Sequence, residues 1–172
     1  MLPRPDTNLE IHDQPDHILL PMMLVGEAEG EPTYGKLAVA EVAQNRANRE
    51  AHWNRGPEEW SALKRSILRP WQFSAFNKDS PRLTVMMNPP SKVWEECYHV
   101  AQVVLQAQPW KPLAGIAKGA DFYHATWLYG AKRKPAWLLA AMASDTPRVT
   151  IGNHVFWELG PDGIPNTRDD LV

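Results

Sequence analysis

Two apolar segments near the amino end of the chain enclose a short acidic stretch. Residues 18–25 and 37–43 are rich in side chains that pack in cores, whereas residues 26–32, GEAEGEP, hold three glutamates. An ordinary solvated loop has no reason to concentrate acids between two core-forming segments. A carboxyl group at the edge of apolar packing has its charged form disfavoured, so its pKa rises and it can act as an acid or base near neutrality. This pattern favours an enzyme that cleaves glycosidic bonds.

The chain length indicates the number of domains, and the net charge bears on whether the protein binds nucleic acid. The 172 residues suit one domain with a substantial core, and the chain has neither an internal repeat nor a low-complexity linker, so a single catalytic domain over 1–172 is predicted. The formal charge is −2, of which residues 158–172 carry −3 and the body about +1. Such a body gives little electrostatic reason to bind nucleic acid. We expect no nucleic-acid partner and a monomer.

The order of local patterns indicates the fold class. Helical periodicity predicts helices over 16–28, 34–49 and 91–108, with Asp16 as a cap, and a shorter helix from Glu58 to just before Pro70. The charged side chains of the second helix are expected to face mostly outward, namely Lys36, Glu41, Arg46 and Arg49.

Strand character appears only late in the chain. Residues 120–124 alternate loosely, and residues 149–157 predict a hairpin with a tight turn at Gly152-Asn153. Helices followed by a small antiparallel sheet make an α+β protein that is mostly helical. An extended arm over 1–14 and an acidic tail over 158–172 flank this body.

Three blocks of sequence, in order, resemble the SleB-like cell-wall hydrolases, which include the spore cortex-lytic enzymes. Residues 26–46 resemble the opening pattern of that family: Glu-Ala-x-Gly-Glu, then Gly-x-x-Ala-Val-Ala, then Asn-Arg. Residues 69–74, RPWQFS, resemble its Pro-x-x-Phe-Ser segment, and residues 119–125, Trp137 and 151–156 resemble its last strands. The resemblance implies a lysozyme-like peptidoglycan hydrolase. It further implies a lytic transglycosylase that acts on the bond between N-acetylmuramic acid and N-acetylglucosamine.

The resemblance assigns the catalytic carboxyl group to Glu27, which also ends the first apolar helix. Glu31 precedes Pro32 at the start of a helix, where a carboxylate offsets the helix dipole and caps free amides, so a structural role is expected. Glu29 occupies a variable position of the family pattern and is expected to be solvated.

Hydrolysis through two carboxylates requires a second acid across the cleft. Glu41 lies inside the second helix, and Asp79 and Asp121 lie in loops, so none is a convincing partner. A transglycosylase uses one carboxyl group as acid and then as base, and the missing partner therefore favours it weakly.

The predicted substrate-binding residues are Gln72, Ser74, Tyr123, His124 and Trp137. Gln72 and Ser74 follow the third helix and could bond the acetamido group of a sugar or orient the catalytic carboxyl group, although turn chemistry explains them equally well. Tyr123 and His124 match an aromatic pair of the family, and the Tyr123 hydroxyl could hold Glu27 or the substrate.

Tryptophans supply candidate platforms on which sugar rings could stack. Trp71, Trp127 and Trp137 are the three candidates, and packing is the favoured explanation for each of them individually. The single cysteine, Cys97, lies in a helical pattern and is expected to be a buried apolar residue.

No metal and no cofactor are predicted. His124 and His154 have neither a cysteine partner nor His-x-x-x-His spacing, so structural roles are favoured. Residues 160–170 place oxygen ligands at spacings similar to those of a calcium loop, but the full acidic order and the closing glutamate are missing.

A small cell-wall hydrolase without a leader fits a phage or prophage endolysin. The amino terminus has no apolar core of signal-peptide length, and residues 18–25 are too few to span a membrane. We therefore expect the chain to stay in the cytoplasm, without stable membrane insertion, until it is released to peptidoglycan glycan strands in the wall or periplasm. Two alternatives stay open: a water-using muramidase with a second carboxylate, and a non-catalytic wall-binding or virion-structural protein with a lysozyme-like fold.

Overall fold

The structure, a computed structural model, describes residues 2–48, 55–106, 116–117, 119–143 and 148–158. Within these residues, helices dominate the first two thirds of the chain, and strands appear only in the last third. The elements are α1 (Asp16–Ala28), α2 (Thr33–Asn48), α3 (Ala62–Leu68), α4 (Arg82–Met87), α5 (Ser91–Gln106), β1 (Phe122–Ala125), α6 (Ala136–Met142), β2 (Arg148–Ile151) and β3 (His154–Trp157).

Helix α1 is the centre of the core. Its residues 18–25 are all buried, because α2, α3, α4 and α5 pack around it. A helix that is apolar on every side is stable only when it is enclosed in this way. Helix α5 is amphipathic instead, and the buried thiol of Cys97 lies on its inner side, as predicted. Burial raises the pKa of that thiol to about 12.

The amino-terminal arm lies along α5. The indole Nε1 of Trp94 donates to the carbonyl of Pro3 at 2.8 Å, and the Arg4 guanidinium donates to the carbonyl of Pro89. A terminal segment is ordered when it is tied down by such contacts.

The sheet is antiparallel, with the strand order β1-β3-β2 among the described residues. Strands β2 and β3 form the predicted hairpin, and Gly152 in its turn has φ +57°. Tyr123 lies opposite Phe156, and His124 lies opposite Val155.

Alternation along the strands gives this sheet two unlike faces. We call the first the inner face, which is directed at the helical core, and the second the outer face, which is covered by α6. The inner face carries Tyr123, His154 and Phe156. The outer face carries Phe122, His124, Val155 and Trp157.

Several predictions about the elements are confirmed, and others are wrong. The first helix and the hairpin are confirmed, but Asp16 is the first residue of α1 and Pro15 is its cap. Helices α4 and α6 were not predicted, since six and seven residues are too few to give a clear periodicity. The arm is not extended throughout, because it forms a turn over residues 6–9 and a 3-10 turn at Ile11–Asp13.

The expected outward orientation of the charges on α2 is also wrong. Lys36, Glu41 and Arg46 are all buried, and Arg49 lies outside the described residues. Each has a polar partner in a distant part of the chain: Lys36 lies 3.5 Å from the Glu96 carboxylate, and Glu41 accepts from the Ala117 N–H at 2.8 Å. The Arg46 Nε, for example, donates to the carbonyl of Asp121 at 2.6 Å. Local periodicity cannot detect such partners, because they lie tens of residues away in sequence.

Every helix in the described ranges is too short or too polar to cross a lipid bilayer.

Candidate active site

Glu27 lies in the last turn of α1, and hydrogen-bond donors from two other parts of the fold meet its carboxylate. Its Oε1 accepts from the backbone N–H of Ala75 at 2.6 Å and from the Ser74 hydroxyl at 3.1 Å. Its Oε2 accepts from the Tyr123 hydroxyl at 2.9 Å. The side chain is half-buried. Donors on both oxygens fix the plane of the carboxyl group while leaving it accessible from solvent.

The close approach of the Ser74–Phe76 turn depends on Gly26. A Cβ atom at Gly26 would lie 2.4 Å from the Cβ of Ala75 and 2.5 Å from the Sδ of Met86. Phe73 and Ala75 are buried against the helical core, which anchors the turn on both sides of Ser74. The glycine before Glu27 therefore lets a backbone N–H reach the carboxylate.

Asn45 and Arg46 of α2 hold the two segments that supply these donors. The Asn45 Nδ2 donates to the carbonyl of Ala120 at 2.7 Å, just before β1. Arg46 bonds the backbone ahead of β1 and also donates from Nη1 to the carbonyl of Gln72 at 3.3 Å. Its guanidinium lies over the rings of Phe73 and Phe122, at 5.0 Å and 5.2 Å. The Asn-Arg pair thus positions both the Ser74 turn and the Tyr123 strand.

Tyr123 approaches Glu27 from the inner face of the sheet. Its ring stacks on Phe156 at 5.7 Å and meets the edge of His154 at 5.1 Å. Burial, together with the adjacent negative charge of Glu27, raises the pKa of the phenol well above its ordinary value. The hydroxyl therefore stays protonated and remains a donor at physiological pH.

Glu31 holds the β2–β3 turn. Its carboxylate accepts from the backbone N–H of Asn153 at 3.0 Å and from the Asn153 side-chain amide at 3.1 Å. The His154 Nδ1 lies 3.5 Å from the same carboxylate. A Cβ at Gly152 would fall 2.0 Å from Glu31 Oε2, so the turn needs glycine both for its φ and for this contact. The sequence predicted a role for Glu31 at the start of α2, and the contacts observed join Glu31 to the hairpin.

Burial lowers the pKa of His154, although the charges of Glu31 and Glu27 act in the opposite direction. The imidazole is therefore favoured in its neutral form near pH 7.

Glu29 was expected to be solvated, but its carboxylate forms an ion pair. Its carboxylate accepts from the Arg82 guanidinium, which also donates to the carbonyl of Val25 at 2.6 Å. Both side chains are about one third exposed. Arg82 therefore binds the carboxyl end of α1 next to Glu27 and uses Glu29 as its counter-ion.

His124 and Trp137 are not next to Glu27. His124 lies on the outer face, with its ring edge against Tyr129 at 4.9 Å. Trp137 is buried in α6 and packs on Phe122 at 5.0 Å. The period of two along β1 separates His124 from its neighbour Tyr123, and neither His124 nor Trp137 offers an open ring to a sugar. We assign both to packing.

Of the remaining predicted residues, Trp71 and Ser74 line one cleft. The cleft has a volume of about 830 Å³ and runs beside the turn that bonds Glu27; Trp71, Ser74 and Asp79 are among the residues that line it. Gln72 contributes its carbonyl to Arg46, as described above. Trp127 is 72% exposed and does not line this cleft.

Some functional residues were missed by the sequence reasoning. The Ala75 N–H has no side-chain signature, and only the fold reveals it. Arg46 could have been suspected, because the Asn-Arg pair is part of the motif that the chain shares with the family.

The sequence profile of the cell wall hydrolase family matches residues 30–157. The chain belongs to this family. The family acts on peptidoglycan, and the chain is therefore a peptidoglycan-degrading enzyme. The matched region begins after Glu27, so the role of Glu27 rests on the motif around it and on its geometry.

Two solved structures share the fold. One is the catalytic domain of the germination-specific lytic transglycosylase SleB from Bacillus anthracis, with TM-score 0.56 and 21% identity, over 89% of this chain and 99% of that one. The other is the catalytic domain of the Bacillus cereus SleB protein, with TM-score 0.52 and 18% identity, over 90% and 95%. At these identities the likeness establishes the fold. A search of curated proteins finds no match.

Proposed function

We propose that this cell wall hydrolase is a lytic transglycosylase, with Glu27 as its general acid and then its general base. One observation carries the proposal: a half-buried carboxylate, beside an open cleft, is held by donors on both of its oxygens. General acid–base catalysis first requires a carboxyl group that is held in a fixed orientation.

In the first step, the protonated Glu27 carboxyl group gives its proton to the glycosidic oxygen. The bond from that oxygen to the anomeric carbon of N-acetylmuramic acid breaks, and N-acetylglucosamine leaves with a free 4-hydroxyl. The Glu27 carboxylate is then negatively charged. Ser74, Ala75 and Tyr123 donate to it and stabilise that charge.

In the second step, the 6-hydroxyl of the same muramic acid attacks the anomeric carbon. The hydroxyl proton passes to the Glu27 carboxylate, which restores the starting acid. The product is a 1,6-anhydro sugar, and no water is consumed.

The donors also indicate which oxygen carries the proton. The Ala75 N–H can only donate, so it requires Oε1 to be an acceptor. The Tyr123 hydroxyl can rotate and accept instead. We therefore assign the acid proton to Oε2, on the side of Tyr123.

A water-using muramidase is the second candidate, and it requires a second carboxylate. Glu31 is fully engaged with the hairpin, and Glu29 is paired with Arg82. Asp121 is buried. Asp79 lines the cleft, so it is the carboxylate that a muramidase would use.

Mass spectrometry of the fragments released from purified sacculi distinguishes these two mechanisms. The proposal predicts 1,6-anhydromuropeptides from the wild type, and the same product at a similar rate from Asp79→Asn. Reducing muramic ends, together with loss of activity in Asp79→Asn, would establish the muramidase instead. Release of nothing from sacculi of several wall types would favour a wall-binding protein.

We also propose that the enzyme acts in bacterial lysis, as an endolysin. The purified protein should lower the turbidity of Gram-negative cells whose outer membrane has been permeabilised. Digestion of isolated sacculi without any lysis of such cells would argue for a different cellular role.

A further inference from the structure

We propose that the cleft beside Glu27 binds an N-acetylhexosamine ring of the glycan strand, with the Trp71 indole as its stacking platform. This subsite rests on the proposed function, because it takes the sugar next to the bond that Glu27 cleaves. Three independent features of the cleft support it: the backbone of Trp71, the chemistry of the lining, and the position of Ser74.

Trp71 adopts a backbone conformation that bulky residues avoid. Its φ is +68°, and no other residue besides glycine in the described ranges has a positive φ. The Trp71 N–H donates to the Asn77 side chain at 3.4 Å, and the loop continues directly into the buried Phe73. Left-handed backbone in a non-glycine residue costs free energy and is concentrated at ligand clamps and active sites.

The indole gains little packing in return for this conformation. Trp71 is 66% exposed, so most of its ring faces solvent at the edge of the cleft. A large apolar ring that stays exposed while its backbone is strained contributes little to folding. Its placement is explained if the ring meets a ligand.

The lining of the cleft matches the two kinds of surface that a pyranose ring presents. Leu68, Pro70 and Phe76 supply apolar surface near Trp71, suited to the C–H face of a sugar. Ser74 and Asn77 supply donors and acceptors for hydroxyl and acetamido groups. The volume of about 830 Å³ is in the range of small-molecule sites, about 300–1,000 Å³.

Ser74 joins this cleft to the catalytic carboxylate. Its hydroxyl donates to Glu27 Oε1, and the same residue lines the cleft. When the scissile bond of a glycan strand lies at Glu27, a neighbouring sugar of that glycan therefore lies in the cleft. This continuity favours the glycan strand itself as the occupant.

Isothermal titration calorimetry with a defined glycan tests the subsite. The probe is a peptide-free tetrasaccharide of alternating N-acetylglucosamine and N-acetylmuramic acid, and the protein carries Glu27→Gln so that the probe stays intact. Adding Trp71→Gly should weaken binding at least tenfold. Trp127→Ala is the matched control, since Trp127 is equally exposed but lies outside the cleft, and it should change binding less than twofold.

The melting temperature separates a binding role from a structural one. Glycine accepts a positive φ, so Trp71→Gly should keep the wild-type Tm or raise it. Weaker binding with an unchanged or higher Tm is the result that a merely structural tryptophan would not give. Trp71→Phe, which keeps an aromatic face, should recover part of the affinity.

Binding of the tetrasaccharide by the Trp71→Gly protein within twofold of its parent would overturn the subsite. So would a fall in Tm that accounts for the loss of affinity, or absence of binding by the Glu27→Gln protein while the wild type digests sacculi. The proposed function would be rejected separately if the Glu27→Gln protein still cleaved sacculi. If wild type cleaves sacculi, Glu27→Gln does not, and Trp71→Gly leaves tetrasaccharide binding unaltered, only the subsite is rejected.

Discussion

On the inner face of the sheet, Tyr123 and His154 lie beside the Glu27 and Glu31 carboxylates, whereas on the outer face His124 packs with Trp137 and Trp157 under α6. Each face has one buried histidine and several aromatic rings, and burial lowers the pKa of both histidines. On the inner face, the Tyr123 hydroxyl donates to the Glu27 carboxylate. The kinds of residue are thus alike, and the direction of each side chain decides its role.

The largest expected loss of stability comes from a substitution on the outer face. Trp137→Ala empties a buried site and should lower the free energy of unfolding by about 3–5 kcal/mol, measured by urea denaturation. The specific activity of the molecules that remain folded should be close to that of wild type. Loss of activity with stability intact would instead return Trp137 to the substrate site.

Gly152→Ala should be the next most damaging change. The added Cβ would lie 2.0 Å from Glu31 Oε2, in a residue with φ +57°. We expect a loss of stability of about 1–3 kcal/mol, together with a lower kcat as the hairpin moves. Gly30→Ala is the matched control, because nothing lies within 4 Å of its added Cβ. Equal stability of the two variants would contradict the role given to Glu31.

Tyr123→Phe tests the inner face with little disturbance to packing. It removes the hydroxyl that donates to Glu27 Oε2. A hydrogen bond to a charged group is worth about 1.5–3 kcal/mol, so kcat should fall about tenfold to 100-fold, with KM and Tm little changed. His124→Gln, on the neighbouring residue, should lower Tm and leave kcat of the folded protein unaltered. The reverse pattern would mean that the two faces have been assigned the wrong way round.

The smallest effect is a dependence of stability on pH. The folded-state pKa values of His124 and His154 are lowered by burial, so the unfolded chain binds more protons below the ordinary value of about 6.5. The free energy of unfolding should therefore fall as the pH drops below that value, and be fully retained above it. Asparagine at both positions should flatten this part of the profile. An unchanged profile would show that other groups dominate.

The sequence predicted the elements whose signal is local. Helix α1 is apolar over residues 18–25 and bounded by Pro15 and Glu29, and the hairpin has β-rich runs around Gly152-Asn153. Both were found in the predicted places. Helices α4 and α6 were missed, because short helices held by tertiary packing give too little periodicity.

The site was predicted only in part, for a related reason. The motif pointed to Glu27, and the segment with Ser74 was recognised, but Tyr123 and His124 were given the same role although strand alternation separates them. Arg46 was expected to face solvent, since its partners lie in segments that come near only in the fold. The left-handed backbone of Trp71 has no signature in the sequence.

The central claim is that Glu27 carries the proton. The most direct test measures release of anhydromuropeptides from sacculi by wild type and by Glu27→Gln, which keeps the size of the side chain and an oxygen that can accept from Ala75. We predict a rate about 10²–10⁴-fold lower for Glu27→Gln, with Tm within a few degrees of wild type. Release at a rate close to that of wild type by a folded Glu27→Gln protein would contradict the account.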